Sequence, residues 1–322
     1  MHALIYPEEG QPLTYREYPD PQPEEGKVVI DLKAAALNHR DVFITQGLYP
    51  GVYTPLVMGS DGAGLYGERE VVINPAMAWG DDPRVQSKSF HILGLPHPGT
   101  FAQRVAVPTN KIYDKPAHLS WAEAAALPLA GLTAYRALFT QGRCTSGQRV
   151  LISGVGGGVA LFAFQFALAA GAEVFVTSGT PEKLDRAREM GASGGVNYRE
   201  VDWSKKLKEM AKGFDVIIDS AAGSGFAQLV KLVNPGGRIV LYGGTRGKID
   251  GLSPQILFWK QATITGSTMG TDAEFAEMIT FVTTHQIKPV VDCVMPLPEG
   301  QQGFERMAAG QQFGKIVFEI PG

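Results

Sequence analysis

The run V-L-I-S-G-V-G-G-G-V-A at Val150–Ala160 has the residue types of a phosphate cradle: an apolar strand, four glycines and the start of an apolar helix. A strand that enters a helix through glycines leaves the first helical N–H groups unpaired and aimed at one spot, where the macrodipole adds partial positive charge. That spot binds phosphate. Against the dinucleotide pattern G-x-G-x-x-G/A the best register is Val155, Gly157 and Ala160, with a valine in the first place and an allowed alanine in the third. Gly156, Gly157, Gly158 and Val159 are therefore the phosphate-binding candidates. A tight strand-to-helix joint also uses glycine for backbone reasons alone, so the flanking residues decide.

The next strand, E-V-F-V-T, ends in Ser178-Gly179-Thr180 with no Asp or Glu at its tip, and Lys183 follows. In dinucleotide folds an acid at that tip receives the ribose hydroxyls of NAD, whereas a small polar or basic group admits a 2′-phosphate. A carboxylate would repel the extra phosphate, while Ser178 can donate a hydrogen bond and Lys183 a charge-assisted one. The pattern predicts NADPH. Lys183 alone is equally an ordinary solvated lysine, and the missing acid carries the choice. Gly243-Gly244-Thr245 and Gly266-Ser267-Thr268-Met269 each follow a β-rich run, which puts both loops at the carboxyl edge of a sheet, where open α/β folds bind ligand. Gly243, Ser267, Thr268 and Met269 join the cofactor set. Asp215 and Asp219 flank the strand F-D-V-I-I-D and read as loop braces rather than a catalytic pair.

Positioning these groups requires alternating strands and helices. Glu173–Thr177, Gly213–Ser220 and Gly236–Tyr242 read as strands and Pro181–Met190 as a helix with Pro in its first turn, which predicts an α/β, doubly wound parallel sheet. Ahead of it, Met1–Ile5, Lys27–Ala36, Glu70–Ile73 and Phe101–Pro108 read as short strands joined by Pro- and Gly-rich segments such as Pro19–Pro23, an irregular β-rich module. A length of 322 residues allows two domains with separate cores. A net charge of −3 with no basic block gives no surface for nucleic acid or anionic membrane. The N-terminus lacks a basic segment before an apolar core, no apolar run reaches membrane-spanning length, and Cys144 and Cys293 stand apart, so a cytoplasmic protein with two unpaired thiols is expected. His91 and His97, spaced irregularly, read as loop histidines.

The segments A-A-L-N-H-R-D-V-F-I-T-Q-G-L-Y-P (Ala35–Pro50), P-L-V-M-G-S-D-G-A-G (Pro55–Gly64), P-L-A-G-L-T-A-Y (Pro128–Tyr135) and G-K-I-V-F (Gly314–Phe318), with the glycine turn, resemble the medium-chain dehydrogenase/reductase superfamily over essentially the whole chain. The resemblance implies a GroES-like catalytic domain built from both chain ends, 1–116 and 268–322, a central Rossmann domain, 117–267, and a cleft for cofactor and substrate. The zinc branch of that family has a cysteine where Asn38 stands, a histidine where Ser60 stands and a cysteine near Leu127–Leu129; its four-cysteine lobe is replaced here by the stretch around Asn74–Pro83. An amide, a hydroxyl and aliphatic groups do not make a zinc site, so the chain resembles the zinc-free quinone oxidoreductase and enone reductase relatives. The same resemblance brings Tyr198, with Arg199 beside it, to the 2′-phosphate, adds Thr133 and Lys315 to the cofactor set, and puts Asn38, Tyr49 and Tyr53 near the substrate. Asn38 is the first candidate donor; Tyr49 is either a proton donor or a loop aromatic, and His39 either a phosphate neighbour or a solvated cap.

Hydride transfer without a metal needs an acceptor that is already electrophilic and hydrogen bonds for the developing oxyanion. Quinones and α,β-unsaturated carbonyls meet that requirement, so an NADPH-dependent reductase of such small molecules is expected. The alternative is an NADPH-binding sensor or structural relative with little turnover. Ala262–Thr265, a short β-branched run late in the Rossmann segment, is expected at a sheet edge, where a second copy can pair to form a homodimer.

Overall fold

A computed structural model describes Met1 to Gly322 throughout. The chain forms two compact units, one of Thr133–Met269 and one of Met1–Leu132 with Gly270–Gly322. The first division thus falls later than the expected 116/117 joint. The helix Trp121–Ala126 is the reason: it packs on the strands Lys27–Ala36, Asp61–Tyr66 and Lys315–Glu319 of the outer unit.

The central unit is a six-stranded parallel sheet. Its strands are β1 (Arg149–Ile152), β2 (Glu173–Ser178), β3 (Gly194–Asn197), β4 (Phe214–Asp219), β5 (Val233–Leu241) and β6 (Thr263–Gly266), in the spatial order β3-β2-β1-β4-β5-β6. This is the doubly wound order, whose strand direction of growth reverses beside β1. The innermost strands are apolar on both faces, with Val150, Leu151 and Ile152 and then Val216, Ile217 and Ile218 all buried. The helix α1 (Gly158–Ala169), which has no charged residue, buries Phe162, Phe164 and Phe166. Its neighbours α2 (Pro181–Glu189) and α3 (Trp203–Ala211) are amphipathic. Two shorter helices, α4 (Phe226–Leu232) and α5 (Pro254–Trp259), flank β5 in sequence. Strand β3 has the sequence G-G-V-N, a poor strand signal, yet the glycines fit tightly: a Cβ at Gly194 would lie 3.0 Å from the Phe175 ring and one at Gly195 2.9 Å from Val176.

The outer unit is β-rich and uses both chain ends. Its seven-stranded sheet runs Ile112–Asp114, Arg69–Ile73, Asp61–Tyr66, Lys27–Ala36, Lys315–Glu319, Val291–Pro296, with Arg104–Pro108 also on Lys27–Ala36. Phe101, fully buried, packs edge-on against Phe318 at 5.2 Å and Phe304 at 6.0 Å, tying the C-terminal elements into the N-terminal core. Antiparallel pairing of Val317 with Ala36 brings Lys315 toward Asn38, and pairing of Ala36 with Asp61 does the same for that acid. No helix is long and apolar enough to cross a membrane.

Candidate functional site

In the central unit the turn from β1 to α1 has the form its glycines require. Gly156 sits at φ +132°, closed to side-chain residues, and a Cβ there would fall 2.9 Å from Lys183 Cδ, so the lysine chain lies across the turn. Gly157 caps α1 in extended conformation without a side chain, and space in front of it is open. The first-turn N–H groups, those of Gly158 and Val159 among them, are thus left for an external acceptor, which is the geometry that fits a pyrophosphate. Asp219 is a brace, as expected: its buried carboxylate accepts from Ser153 Oγ and from the N–H groups of Ala221 (3.2 Å) and Ala222 (2.8 Å), while burial pushes its pKa up.

The tip of β2 differs from the expectation at Ser178. Its side chain is turned inward, 2% exposed, with the hydroxyl 3.4 Å from the Val155 carbonyl, and is not presented to a phosphate. Both faces of β2 are covered from Val174 to Ser178, so the serine at its end is buried like the residues before it. The side chains over the tip come from elsewhere. A Cβ at Gly179 would lie 2.6 Å from Tyr198 Oη and 3.1 Å from Arg199 Nε, so both stand against this bare backbone. Arg246 Cζ lies 5.7 Å from the Tyr198 ring centroid. Sequence reasoning missed Arg246; the available signal was an arginine directly after Gly243-Gly244-Thr245, on a loop already assigned to the carboxyl edge.

After β6, Ser267 N–H donates to the Leu241 carbonyl at 2.9 Å, and its hydroxyl is buried without a protein partner. Met269 is buried at φ +42°, with its sulfur 3.8 Å from Thr133 Oγ1. Thr133 and Met269 are thereby brought together in the central unit, with Ser267 two residues before Met269 on the same loop and Thr268 between them exposed. An orphaned hydroxyl at the carboxyl edge suits a polar ligand group.

In the outer unit Asn38, Asp61 and Lys315 form one buried network. Asn38 Nδ2 donates to Asp61 Oδ2 (2.9 Å), Lys315 Nζ donates to Asn38 Oδ1 (2.6 Å) and to Asp61 Oδ2 (2.9 Å), and Leu129 N–H donates to Asp61 Oδ1 (2.7 Å). Lys315 was expected against the cofactor; at 3% exposure its ammonium is instead committed to Asn38 and Asp61, which makes it a positioning residue. Beside it Arg40 Nη1 donates to Ser60 Oγ (2.7 Å) and to the Leu93 carbonyl (3.1 Å), and its guanidinium lies 5.2 Å from the Tyr49 ring. Tyr49 packs on the apolar core, favouring the loop-aromatic reading, and the Tyr53 hydroxyl donates to the Pro96 carbonyl rather than standing free. His39 starts the helix His39–Thr45, tilted against Phe43.

These donors do not fit zinc. The oxygens of Asn38, Asp61 and Ser60 are already bonded to an ammonium and a guanidinium of the protein itself, and a dication among them would face two buried cations. Elemental analysis of the purified protein is expected to give far less than one zinc per chain; a stoichiometric metal would overturn that reading.

Asp41 lies beneath this network. Its carboxylate accepts the Asn38 N–H (2.9 Å) and sits 3.8 Å from Arg40, yet full burial outweighs both and pushes its pKa from 3.8 up to about 6. The folded state therefore binds more protons than the unfolded one between about pH 4 and 6, and stability falls as pH rises through that window. Asp41→Asn is expected to flatten the slope and to raise stability near neutral pH by about 2–3 kcal/mol, at about 1.36 kcal/mol per pH unit. Urea melts at about pH 4 and about pH 7 check this; an unchanged slope would assign the titration to another group.

Comparison with known proteins agrees with this two-unit architecture. Residues 24–117 match the alcohol dehydrogenase GroES-like domain and residues 158–284 match the zinc-binding dehydrogenase model, a segment that lies outside the Asn38–Asp61 positions. A zinc-type alcohol dehydrogenase-like protein YogA of Leptosphaeria maculans is 36% identical, covering 96% of this chain and 95% of the relative. The crystal structure of an NAD-dependent alcohol dehydrogenase superposes with a TM-score of 0.94 at 34% identity over 100% of both chains. The quinone oxidoreductase of Thermus thermophilus, solved also in complex with NADPH, gives a TM-score of 0.83 at 27% identity over 99% of this chain and 100% of that one. With its cradle, its two-ended β domain and full-length relatives in agreement, the chain belongs to the medium-chain dehydrogenase/reductase family, as a quinone oxidoreductase-like, nicotinamide-dependent oxidoreductase.

Proposed function

We propose that the protein is an NADPH-dependent reductase of quinones or α,β-unsaturated carbonyls that works without a metal. The observation that carries the cofactor choice is the tip of β2, where no carboxylate stands, Tyr198 and Arg199 stand against Gly179, Arg246 lies over the Tyr198 ring and Lys183 crosses the glycine turn. Such a tip repels nothing on a 2′-phosphate and offers it charge-assisted donors. Lys183→Ala is expected to weaken NADPH binding by about 1.5–3 kcal/mol, the range for hydrogen bonds to charged groups. Equal NADPH affinity in the variant, or a preference of the parent enzyme for NADH, would refute it.

When bound, the cofactor supplies a hydride. Asn38 contributes the oxyanion donor. Its amide carries two hydrogens, of which the Asp61 bond takes one, and Lys315 on Oδ1 polarises the group and strengthens the other as a donor. Asp61 fixes its orientation. An already conjugated acceptor needs no stronger electrophile than this. Removing one such donor costs about 10²–10³ in kcat in comparable sites, and that is the loss expected for Asn38→Ala. Initial rates with benzoquinone, a 2-alkenal and a saturated aldehyde test the class: reduction of the first two favours the proposal, preferential turnover of the saturated aldehyde contradicts it, and tight NADPH binding without turnover of any favours a sensing role.

We further propose that the enzyme acts as a homodimer. Strand β6 pairs only with β5, leaving an open edge, and the helix before it, α5, has no buried residue. Trp259 is 85% exposed. An unpaired edge flanked by exposed aromatics suits a second copy about a twofold axis.

A further inference from the structure

Arg246 is held in place by its backbone. The loops that follow β4 and β5 are zipped together: Arg246 N–H donates to the Ala221 carbonyl (2.8 Å), Gly223 N–H to the Gly247 carbonyl (3.1 Å) and Thr245 N–H to the Ser220 carbonyl (3.3 Å). Gly223, at φ +65°, allows that contact, because a Cβ there would lie 2.7 Å from Arg246 Cβ. The root of this exposed side chain is therefore fixed, and its guanidinium reaches over Tyr198, whose hydroxyl stands against Gly179. Charges nearby are treated differently. Arg188 is paired with Asp185 and Lys206 with Glu200 and Asp202, whereas no carboxylate pairs with Arg246 or Arg199.

We propose that Arg246 is a specificity-determining residue, supplied by the loop after β5, that completes the site for the cofactor's 2′-phosphate. Tyr198 is the platform: its ring face orients the guanidinium, and its hydroxyl faces the bare backbone where the ribose arrives. Arg199 approaches the same glycine from the end of β3, so donors from two crossovers converge on one dianion. This inference rests on the NADPH reading above and adds to it the residue that discriminates the two cofactors.

The test is isothermal titration of the full-length protein and its Arg246→Ala and Arg246→Lys variants with NADPH, NADH, 2′,5′-ADP and 5′-ADP, with urea melts confirming the fold. Arg246→Ala is expected to weaken NADPH and 2′,5′-ADP by about tenfold or more, the loss of one charge-assisted contact, and to change NADH and 5′-ADP by less than about twofold. Arg246→Lys restores only part, because an ammonium neither stacks nor binds bidentately. Equal weakening of all four ligands would move Arg246 to the pyrophosphate or adenine and overturn the inference. A parent protein that prefers NADPH, with an Arg246→Ala variant that keeps the full preference, overturns it while leaving the cofactor reading intact. A parent protein that does not distinguish 2′,5′-ADP from 5′-ADP removes both.

Discussion

Lys315→Met is expected to lower folding stability by about 3–5 kcal/mol, because it leaves the Asp61 carboxylate buried without its cation. Asp61 is fully buried and Lys315 3% exposed, so water screens neither partner. The remaining bonds to Asp61, from Leu129 N–H and Asn38 Nδ2, satisfy its oxygens but bring no charge. Asn38 also loses the donor on its Oδ1, so its amide is held by Asp61 alone and is no longer polarised, and turnover falls with stability. The double variant Asp61→Asn/Lys315→Met separates the two effects: with both charges of this pair removed it should regain most of the stability and little of the activity. Urea midpoints and kcat for the single and double variants check this. A loss below about 1 kcal/mol in Lys315→Met would place the pair in the range of solvated surface bridges and refute the buried-charge argument.

The second large effect is on assembly. Ser267 N–H bonds inward to Leu241, and the alternation of a parallel ladder then turns Thr263 and Thr265 toward β5 and the Ile264 N–H toward the open edge. Ile264→Pro thus removes a donor from the edge while sparing the internal ladder. If two copies pair there, the twofold axis doubles the change, and two lost hydrogen bonds of about 1.4 kcal/mol each weaken the dimer by about a hundredfold. Sedimentation should show dimers of the parent protein and monomers of the variant, with NADPH turnover reduced because Ser267–Met269 continue from the same strand. A monomeric parent refutes the assembly, and a monomeric variant with full activity breaks its link to the site.

The fold was legible where hydrophobic pattern and turn chemistry agreed. Lys27–Ala36 runs over the same residues in sequence and structure, and the expected β2 and β4 strands differ from the observed ones only at their ends. Strand β3 was hidden because its glycines pack through what they lack, which no propensity records. In the site, glycines reported the cradle because backbone geometry is local. Side-chain partnerships are not: Lys315 meets Asn38 across 277 positions, and only strand register brings them together. Ser178 was misplaced for a similar reason, since the tip's polarity was visible and its facing was not. Arg246 lay on an expected loop, but its place above Tyr198 depends on two loops zipped through Gly223.

The buried network also bears on how the chain is made. Asn38 and Asp61 leave the ribosome 277 and 254 residues ahead of Lys315, the lysine that neutralises the acid. Until Lys315 has been made, Asp61 lacks the cation that makes its burial tolerable, so closure of the outer unit around it has to wait for that lysine. A product that stops short of Lys315 would carry every residue of the dinucleotide cradle and still be unable to organise Asn38, leaving a hydrated acid where the finished enzyme has a dry one.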